Sequence, residues 1–149
     1  MAEATREIDI RSGLEVLERH ECEALLGRSR LGRIAVVVDG RPLVFPVNFV
    51  LDGGAIVLRT DEGTKLYGAR NGPVAFECDG TDSVYHTGWS VLATGTADEV
   101  HEPAEVKRLE RLPLGTWCPG PKSNWLRIRP RTLTGRRIPP HGHARDERI

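Results

Sequence analysis

Short apolar, β-branched segments separated by glycine-containing turns dominate the first half of the chain. The segment LGRIAVVV begins at Leu31, and Asp39 and Gly40 separate it from a second apolar segment, PLVFPVNFV. A further turn at residues 52–54 leads into AIVLRT. Because Asp-Gly between apolar segments is a strong hairpin signal, this pattern predicts three consecutive antiparallel strands.

Three other segments have helical spacing. RHECEALLGR places its apolar residues on one side of a short helix, with Gly27 as the stop signal. GTKLYGARNG, between Gly63 and Gly72, has apolar and basic residues at helical intervals, and PAEVKRLERL begins with Pro103, which suits a first helical turn. The sequence therefore predicts two or three short helices among the strands.

The remaining apolar segments predict further strands. They are VAFECD, the long SVYHTGWSVLATGTADEV, and WLRIRPRTLTGRRI, which reads as one last strand or a pair. Gly88 and Gly95 within the long strand indicate bulges or bends, and Pro130 implies an edge, a bulge or a break. About six strands in succession without helical crossovers favour a barrel or sandwich over a doubly wound parallel sheet.

Length and composition indicate one soluble domain. The chain has 149 residues, of which 39% are hydrophobic and 28% charged. No apolar segment approaches the roughly 20 residues that span a bilayer, and the first residues lack a signal-peptide pattern, so we expect a cytoplasmic protein without membrane partners. The expected organisation is a flexible N-terminus at 1–10, a domain at 11–138 and a flexible basic tail at 139–149. The odd number of cysteines suggests reduced thiols.

Charge is balanced overall but uneven along the chain. The formal net charge is zero, which argues against a strongly basic nucleic-acid-binding protein. From Lys122 to the end there are eight basic and two acidic residues, a local balance of 8 − 2 = +6. Such a basic end suits a phosphate-bearing ligand or an acidic partner, or it is a solvated tail.

Several kinds of catalytic site have no matching motif. The five histidines show no HExxH spacing, and the HGH sequence of His141 and His143 predicts no metal site. GxSxG, GxxxxGK[ST] and GxGxxG motifs are also absent. The sequence therefore disfavours a hydrolase or a P-loop nucleotidase, and it assigns no residue a catalytic role.

The segment LRTDEGTK, from Leu58 to Lys65, joins a predicted strand end, a turn and a helix start. Such a place offers cations, hydroxyls and backbone amides that can converge on a phosphate. A lysine in the first turn of a helix does little for the helix itself, because the dipole there favours negative charge. The segment therefore predicts a phosphate site that includes Lys65; the alternative is a solvated loop with a surface lysine.

The order of LGRIAVVVDGRPLVFPVNFVLDGGAIVLRTDEGTKL, NGPVAFE and GWSVLATGTADEV resembles the pyridoxamine 5'-phosphate oxidase-like, FMN-binding split-barrel family. The resemblance runs from about Leu14 to Ile138 and is greatest to the short actinobacterial members related to nitroimidazole-resistance proteins. It implies a mainly β fold, a six-stranded antiparallel split barrel. It also implies a homodimer that binds flavin at the subunit interface.

The resemblance also implies a set of cofactor-binding residues. Val47 and Asn48 would line the flavin ring largely through backbone groups, and Trp89 and Ser90 would reach the same ring. The remaining four match the positions on the next strand and helix start that contact the FMN chain and phosphate: Arg59, Thr60, Thr64 and Lys65. Relatives often carry histidine at position 59, so the contact made by Arg59 stays open between phosphate, ribityl hydroxyls and a bulkier group.

The resemblance favours an FMN-dependent oxidoreductase that acts on a small substrate, for example a nitro-aromatic. The last strand does not reproduce the substrate motif of the vitamin-processing oxidases, so production of pyridoxal phosphate is not expected. One alternative is a deazaflavin-dependent reductase whose cofactor tail contacts Arg127, Arg129 and Arg131, which alternate along a strand. Another is a non-enzymatic flavin-binding carrier or sensor.

Overall fold

The computed structural model describes residues 6–120 and 122–140. These residues form eight strands and three helices. The strands are β1 (Glu15–Leu17), β2 (Leu31–Val38), β3 (Arg41–Asn48), β4 (Val50–Asp52), β5 (Ala55–Thr60), β6 (Val74–Asp82), β7 (Thr87–Val100) and β8 (Asn124–Ile138). The helices are α1 (Arg19–Gly27), α2 (Thr64–Asn71) and α3 (Pro103–Glu110).

The predicted hairpin of β2 and β3 is confirmed. Asp39 and Gly40 have φ values of 49° and 72°, the left-handed conformation that a two-residue turn between twisted strands requires. The turn fixes a register in which Val38 pairs with Arg41 and Leu31 pairs with Asn48. The Asp39-Gly40 turn, which the sequence predicted, therefore determines which residues of β2 face the core and where β3 ends.

The three predicted helices are also confirmed, and they differ at their N-termini. The N-terminus of α1 has a capping box formed by Glu18 and Glu21, and the side chain of Glu102 accepts hydrogen bonds from the first amides of α3. Helix α2 instead starts after Gly63, which has no side chain to cap it, and its first turn contains no acidic residue. Its first amides therefore lack the side-chain acceptors that the other two helices have.

All strands belong to one curled antiparallel sheet with the order β3-β2-β6-β7-β8-β5-β4, and β1 pairs with β8. Strand β8 pairs with β7 over most of its length and with β5 near its start. The register shifts between Thr94 and Gly95, where Arg131 is the extra residue on β8. A Cβ at Gly95 would lie 2.5 Å from the carbonyl oxygen of Arg129, so only glycine fits this bend.

The predicted number of six strands was wrong, because eight strands are present among the described residues. The two extra strands, β1 and β4, have three residues each. Elements this short show no readable periodicity and are defined by the partner that they pair with. Across Pro130 the last segment is one bulged strand of 15 residues.

Two apolar clusters hold the sheet in this shape. The larger lies inside the curl and includes Phe49, Ile56 and Phe76, with Leu66 of α2 packed into it. The smaller lies on the outer side beneath α3 and includes Val57, Val100, Leu109 and Trp125. Strand β5 has one face in each cluster, because successive side chains point to opposite sides of a strand.

The predicted ends of the chain fall partly outside the described residues, at 1–5 and 141–149. Residues 6–10 contact the rest of the fold: Arg6 Nη1 lies 2.7 Å from Glu15 Oε2, and Ile8 forms a β-bridge with Glu15. None of the helices in the described part of the chain is long and apolar enough to cross a membrane.

Candidate functional site

The end of β3 borders the candidate site. Val47 is buried in the larger core cluster, so its side chain packs inside the barrel and leaves only its backbone groups for a ligand. The side chain of Asn48 bridges two segments: Nδ2 donates to the carbonyl of Arg30 at 3.2 Å, and Oδ1 accepts from the amide of Trp117 at 2.8 Å. Asn48 therefore attaches the segment between α3 and β8 to the edge of the barrel.

The end of β5 supplies buried polar groups. Thr60 is the one buried polar residue of the described chain, and its hydroxyl donates to the carbonyl of Asp61 at 3.2 Å. Asn124 of β8 pairs with Thr60, so both side chains point to the same side of the sheet. Asn124 Nδ2 is buried and finds no hydrogen-bond partner among the described residues. A buried amide in this position is a donor that a ligand oxygen would satisfy.

The start of α2 adds the cation that the sequence predicted. Lys65 is the second residue of α2, its side chain is half-buried, and its Nζ lies 5.7 Å from the ring centroid of Phe45. Burial lowers the pKa of Lys65, because water no longer fully solvates its charge. Thr64 precedes it and is exposed. A nearby phosphate dianion would favour the charged form of this lysine.

A second lysine, Lys122, contacts the loop before α2, although in the sequence it was counted only within the basic C-terminal segment and was not placed at this site. Lys122 Nζ lies 3.2 Å from Asp61 Oδ2, and the charge of Lys122 acts to lower the pKa of Lys65. The chain has only three lysines, and two of them interact with the same carboxylate, Asp61. No sequence signal places Lys122, because it lies in an irregular segment 57 residues after Lys65. We call the region formed by Thr60, Thr64, Lys65, Lys122 and Asn124 the α2 corner.

Arg59 lies on the other face of β5 from Thr60. Its guanidinium Cζ is 4.8 Å from the ring centroid of Trp125, its pairing partner on β8. Trp125 is 4% exposed and belongs to the cluster beneath α3, so it offers no open face for a substrate. The sequence could have shown this, because adjacent residues of a strand point to opposite faces of the sheet. The structure therefore does not bring Arg59 into the α2 corner.

Trp89 and Ser90 are also far from the α2 corner within one chain. They pair with Arg137 and Arg136 near the end of β8, whereas the α2 corner adjoins Asn124 at its start. Arg137 lies twelve positions after Trp125, the neighbour of Asn124, which corresponds to about 40 Å along the strand. Trp89 packs over Gly80 and lines a cavity of about 370 Å³ with Arg137 and Ile138.

Three of the five arginines of β8, Arg127, Arg129 and Arg131, were candidates for the tail of a deazaflavin, and they do not act together. Arg127 Nη1 lies 2.7 Å from Glu105 Oε1 of α3. Hydrogen bonds from Arg108, and then from Arg127, lower the pKa of Glu105 to about 2. Arg129 and Arg131 stay exposed and line a cavity of about 400 Å³ with Thr94 and Thr96. Of the three, Arg129 and Arg131 have exposed side chains, and Arg129 Nε lies 3.8 Å from Asp98 Oδ2.

These features define the class: a curled, antiparallel split barrel whose helix α2 brings an uncapped N-terminus and a lysine to the open edge of the sheet. The family described as pyridoxamine 5'-phosphate oxidase matches residues 18–137. The chain therefore belongs to this family, and the mainly β split-barrel fold is confirmed.

Three relatives are similar over most of the chain. The uncharacterized protein Rv0080 of Mycobacterium tuberculosis is 34% identical over 146 residues, covering 93% of this chain and 95% of the relative. A FAD binding protein from Mycobacterium smegmatis is 39% identical with a TM-score of 0.72, covering 83% of this chain and 99% of that one. A candidate 5-nitroimidazole antibiotic resistance protein from Bacteroides thetaiotaomicron shares the fold, with 17% identity, a TM-score of 0.65, and 92% and 94% coverage.

Proposed function

We propose that this protein is a flavin-dependent oxidoreductase that binds the FMN phosphate at the α2 corner. The observation that carries the proposal is that Lys65 and Lys122 both interact with the Asp61 carboxylate before the uncapped start of α2, while the unsatisfied amide of Asn124 lies two residues after Lys122 in sequence. Cations, an amide donor and helix N-terminal amides are the groups that hold a phosphate dianion. Membership of the family and the 39% identical FAD binding protein support a flavin as the ligand.

The residues of the chain would bind and orient the cofactor. A bound flavin supplies hydride or electron transfer, so the protein needs no acid, base or nucleophile of its own for that step. Thr64 and Lys65 would hold the phosphate, while the backbone at Val47 and Asn48 would line the ring. The segment that Asn48 fixes through Trp117 would limit access of water to the corner. A small substrate, for example a nitro-aromatic, would stack on the exposed face of the ring.

Two other cofactors fit particular features. FAD carries a second phosphate and an adenosine beyond the position of the FMN phosphate, and the relative from Mycobacterium smegmatis is described as a FAD binding protein. A deazaflavin has an acidic tail that Arg129 and Arg131 could attract. FMN is the first candidate, because the cations and amide donors of the α2 corner suit a single phosphate group.

Titration of the purified protein with FMN, FAD, riboflavin and a deazaflavin tests the function. We expect FMN to bind at micromolar concentration or below and riboflavin to bind more weakly, measured by quenching of flavin fluorescence. Anaerobic addition of a reduced nicotinamide dinucleotide to the complex should then bleach the flavin absorbance. A complex that no such donor reduces would be a carrier or sensor. Failure of every cofactor to bind at micromolar concentration would end both oxidoreductase proposals.

We also propose a homodimer with a cofactor site at each end of the interface. The outer face of the sheet carries an apolar row across three strands, because Val44 pairs with Ala35 and Ala35 pairs with Ala75; the row ends at Thr94 of β7, which pairs with Ala75. Val44 at 62% exposure is uncovered in the single chain, as are Val37 and Leu92 nearby. A second copy on this face would cover the row and would supply the Trp89 and Ser90 that one chain holds far from its own α2 corner.

The dimer predicts a specific effect of Val44→Asp. An aspartate at the exposed β3 end of the apolar row would bury an unpaired carboxylate in each copy, so we expect the variant to sediment as a folded monomer where the wild type is a dimer. Its FMN affinity should fall at the same time. Val84→Asp is the matched control, because Val84 is exposed in the turn between β6 and β7, outside the row. A monomeric wild type, or a dimeric Val44→Asp variant, would refute this interface.

A further inference from the structure

Lys122 is an unusually buried cation for an irregular segment. Its side chain is only 12% exposed, although it lies in the connection between α3 and β8 rather than in a regular element. It precedes Asn124 by two residues, and Asn124 pairs with Thr60 at the end of β5. A lysine that is this buried requires a charged partner, because desolvation of an unpaired ammonium is costly.

The partner that Lys122 has in the structure is Asp61. The Nζ to Oδ2 distance is 3.2 Å, and the hydrogen bond from Lys122 is the main reason that the pKa of Asp61 lies below its usual range. The side chain of Asp61 is itself 58% exposed, so the carboxylate stands at the mouth of the corner rather than inside it. It belongs to the loop between β5 and α2, whose residues 61–63 carry no helical or strand structure.

Asp61 also acts on Lys65. Its negative charge raises the pKa of Lys65, whereas burial and the charge of Lys122 lower it. One carboxylate therefore offsets the repulsion between two neighbouring ammonium groups. A phosphate dianion between the lysines would do the same with twice the charge and with three acceptor oxygens.

We propose that Lys122 is the second phosphate-binding cation of the α2 corner and that Asp61 is its internal counter-ion, which the ligand phosphate displaces. The inference rests on the proposed phosphate role of the corner and extends it to a residue on a separate segment of the chain. Asp61 keeps the two lysines together before the ligand binds. Its carboxylate then competes with the phosphate for Lys122, so Asp61 lowers affinity for every phosphate monoester while leaving ligands without a phosphate unaffected.

A set of three variants tests the exchange: Lys122→Gln, Asp61→Asn and the two combined. Binding of FMN and riboflavin is measured by fluorescence quenching, and binding of inorganic phosphate by ³¹P NMR titration. We expect Lys122→Gln to weaken FMN about tenfold, the loss of one charge-assisted hydrogen bond, with riboflavin changed by less than about twofold. We expect Asp61→Asn to tighten FMN about threefold, because the amide keeps the oxygen near Thr60 but loses the charge that competes for Lys122.

The combined variant separates competition from simple repulsion. If Asp61 acts by holding Lys122, its removal brings little gain once Lys122 is absent. An equal gain in both backgrounds would show that Asp61 only repels the phosphate, and would overturn its role as counter-ion. Lys107→Gln on α3 removes the same charge from an exposed helix position and should change none of the affinities.

The outcomes also distinguish this inference from the proposed function. FMN that binds equally well to wild type and Lys122→Gln would refute the role of Lys122 and leave the flavin proposal intact. Inorganic phosphate that binds with the expected dependence on Lys122 and Asp61, in a protein that binds no flavin, would refute the flavin proposal alone. Absence of both phosphate and FMN binding would refute the two together. A circular dichroism spectrum and a thermal unfolding curve for each variant confirm that it is folded.

Discussion

Replacement of Lys65 by alanine is expected to weaken FMN binding by about ten- to a hundredfold and to leave riboflavin binding within about twofold. Lys65 lies in the first turn of α2, half-buried, with a pKa lowered by that burial. A charge in such a place interacts more strongly with a phosphate than an exposed one, because less water screens it. Riboflavin differs from FMN only in lacking the phosphate, so the two affinities isolate the contribution of that group.

Fluorescence titration of both ligands against wild type, Lys65→Ala and Lys107→Ala measures this effect. Lys107 is the third lysine of the chain and lies exposed on α3, so its removal controls for the loss of one positive charge. Equal losses of FMN and riboflavin affinity in Lys65→Ala would place Lys65 near the ring or in the fold, and would reject the phosphate assignment. The affinity for FMN should also fall with added salt in the wild type, and less steeply in Lys65→Ala.

Replacement of Phe76 by alanine should cost about 3–5 kcal/mol of the free energy of unfolding. The ring is 1% exposed and meets the ring of Phe49 edge to face, with 4.7 Å between their centroids. It also covers Gly32, where an added Cβ would lie 2.3 Å from Phe76 Cζ. The ring thus fills space between β2, β6 and the start of β4, and its removal leaves a cavity that a packed barrel cannot close.

Urea unfolding followed by circular dichroism measures the loss, at one protomer concentration because a dimer would make stability depend on concentration. Tyr85→Ala is the control: Tyr85 is exposed in the turn between β6 and β7, so its removal should change the free energy of unfolding by less than about 0.5 kcal/mol. A loss below about 1 kcal/mol for Phe76→Ala would contradict the packing described for this ring.

The hairpin and helix signals were local, and they were right. Asp39 and Gly40 turn the chain because of their own backbone preferences, and Gly27 and Pro103 lie at helix ends for the same reason. Strands β1 and β4 were not predicted, because three residues become a strand through the partner they pair with. The single strand across Pro130 was likewise left open, since only the pairing of β7 with β8 shows that the bulge absorbs the proline.

In the candidate site too, some residues were predicted from local sequence, whereas the position of others depended on the tertiary structure. Lys65 was predicted from the junction of a strand, a turn and a helix, and Thr64 was implied by the resemblance; the structure places both at such a junction. Arg59 and Thr60 are adjacent in sequence but lie on opposite faces of β5, and the packing of Trp125 keeps Arg59 beneath α3. Because side chains alternate between the two faces of a strand, the adjacent positions of Arg59 and Thr60 already predicted this separation. The resemblance to the family nevertheless grouped the two residues as a pair.

The sequence by itself determined a succession of antiparallel strands, the main hairpin, the positions of the short helices and the helix start that carries Lys65, because each depends on the preferences of neighbouring residues; the split barrel was implied only by the resemblance to the family. Only the tertiary structure brought Lys122 and Asn124 to that helix start and placed Trp89 and Ser90 at the far end of β8. These relations depend on the strand register and on how the connection between α3 and β8 crosses the open edge of the barrel. Contacts between residues so distant along the chain arise when the sheet curls around its core, and no local pattern encodes them.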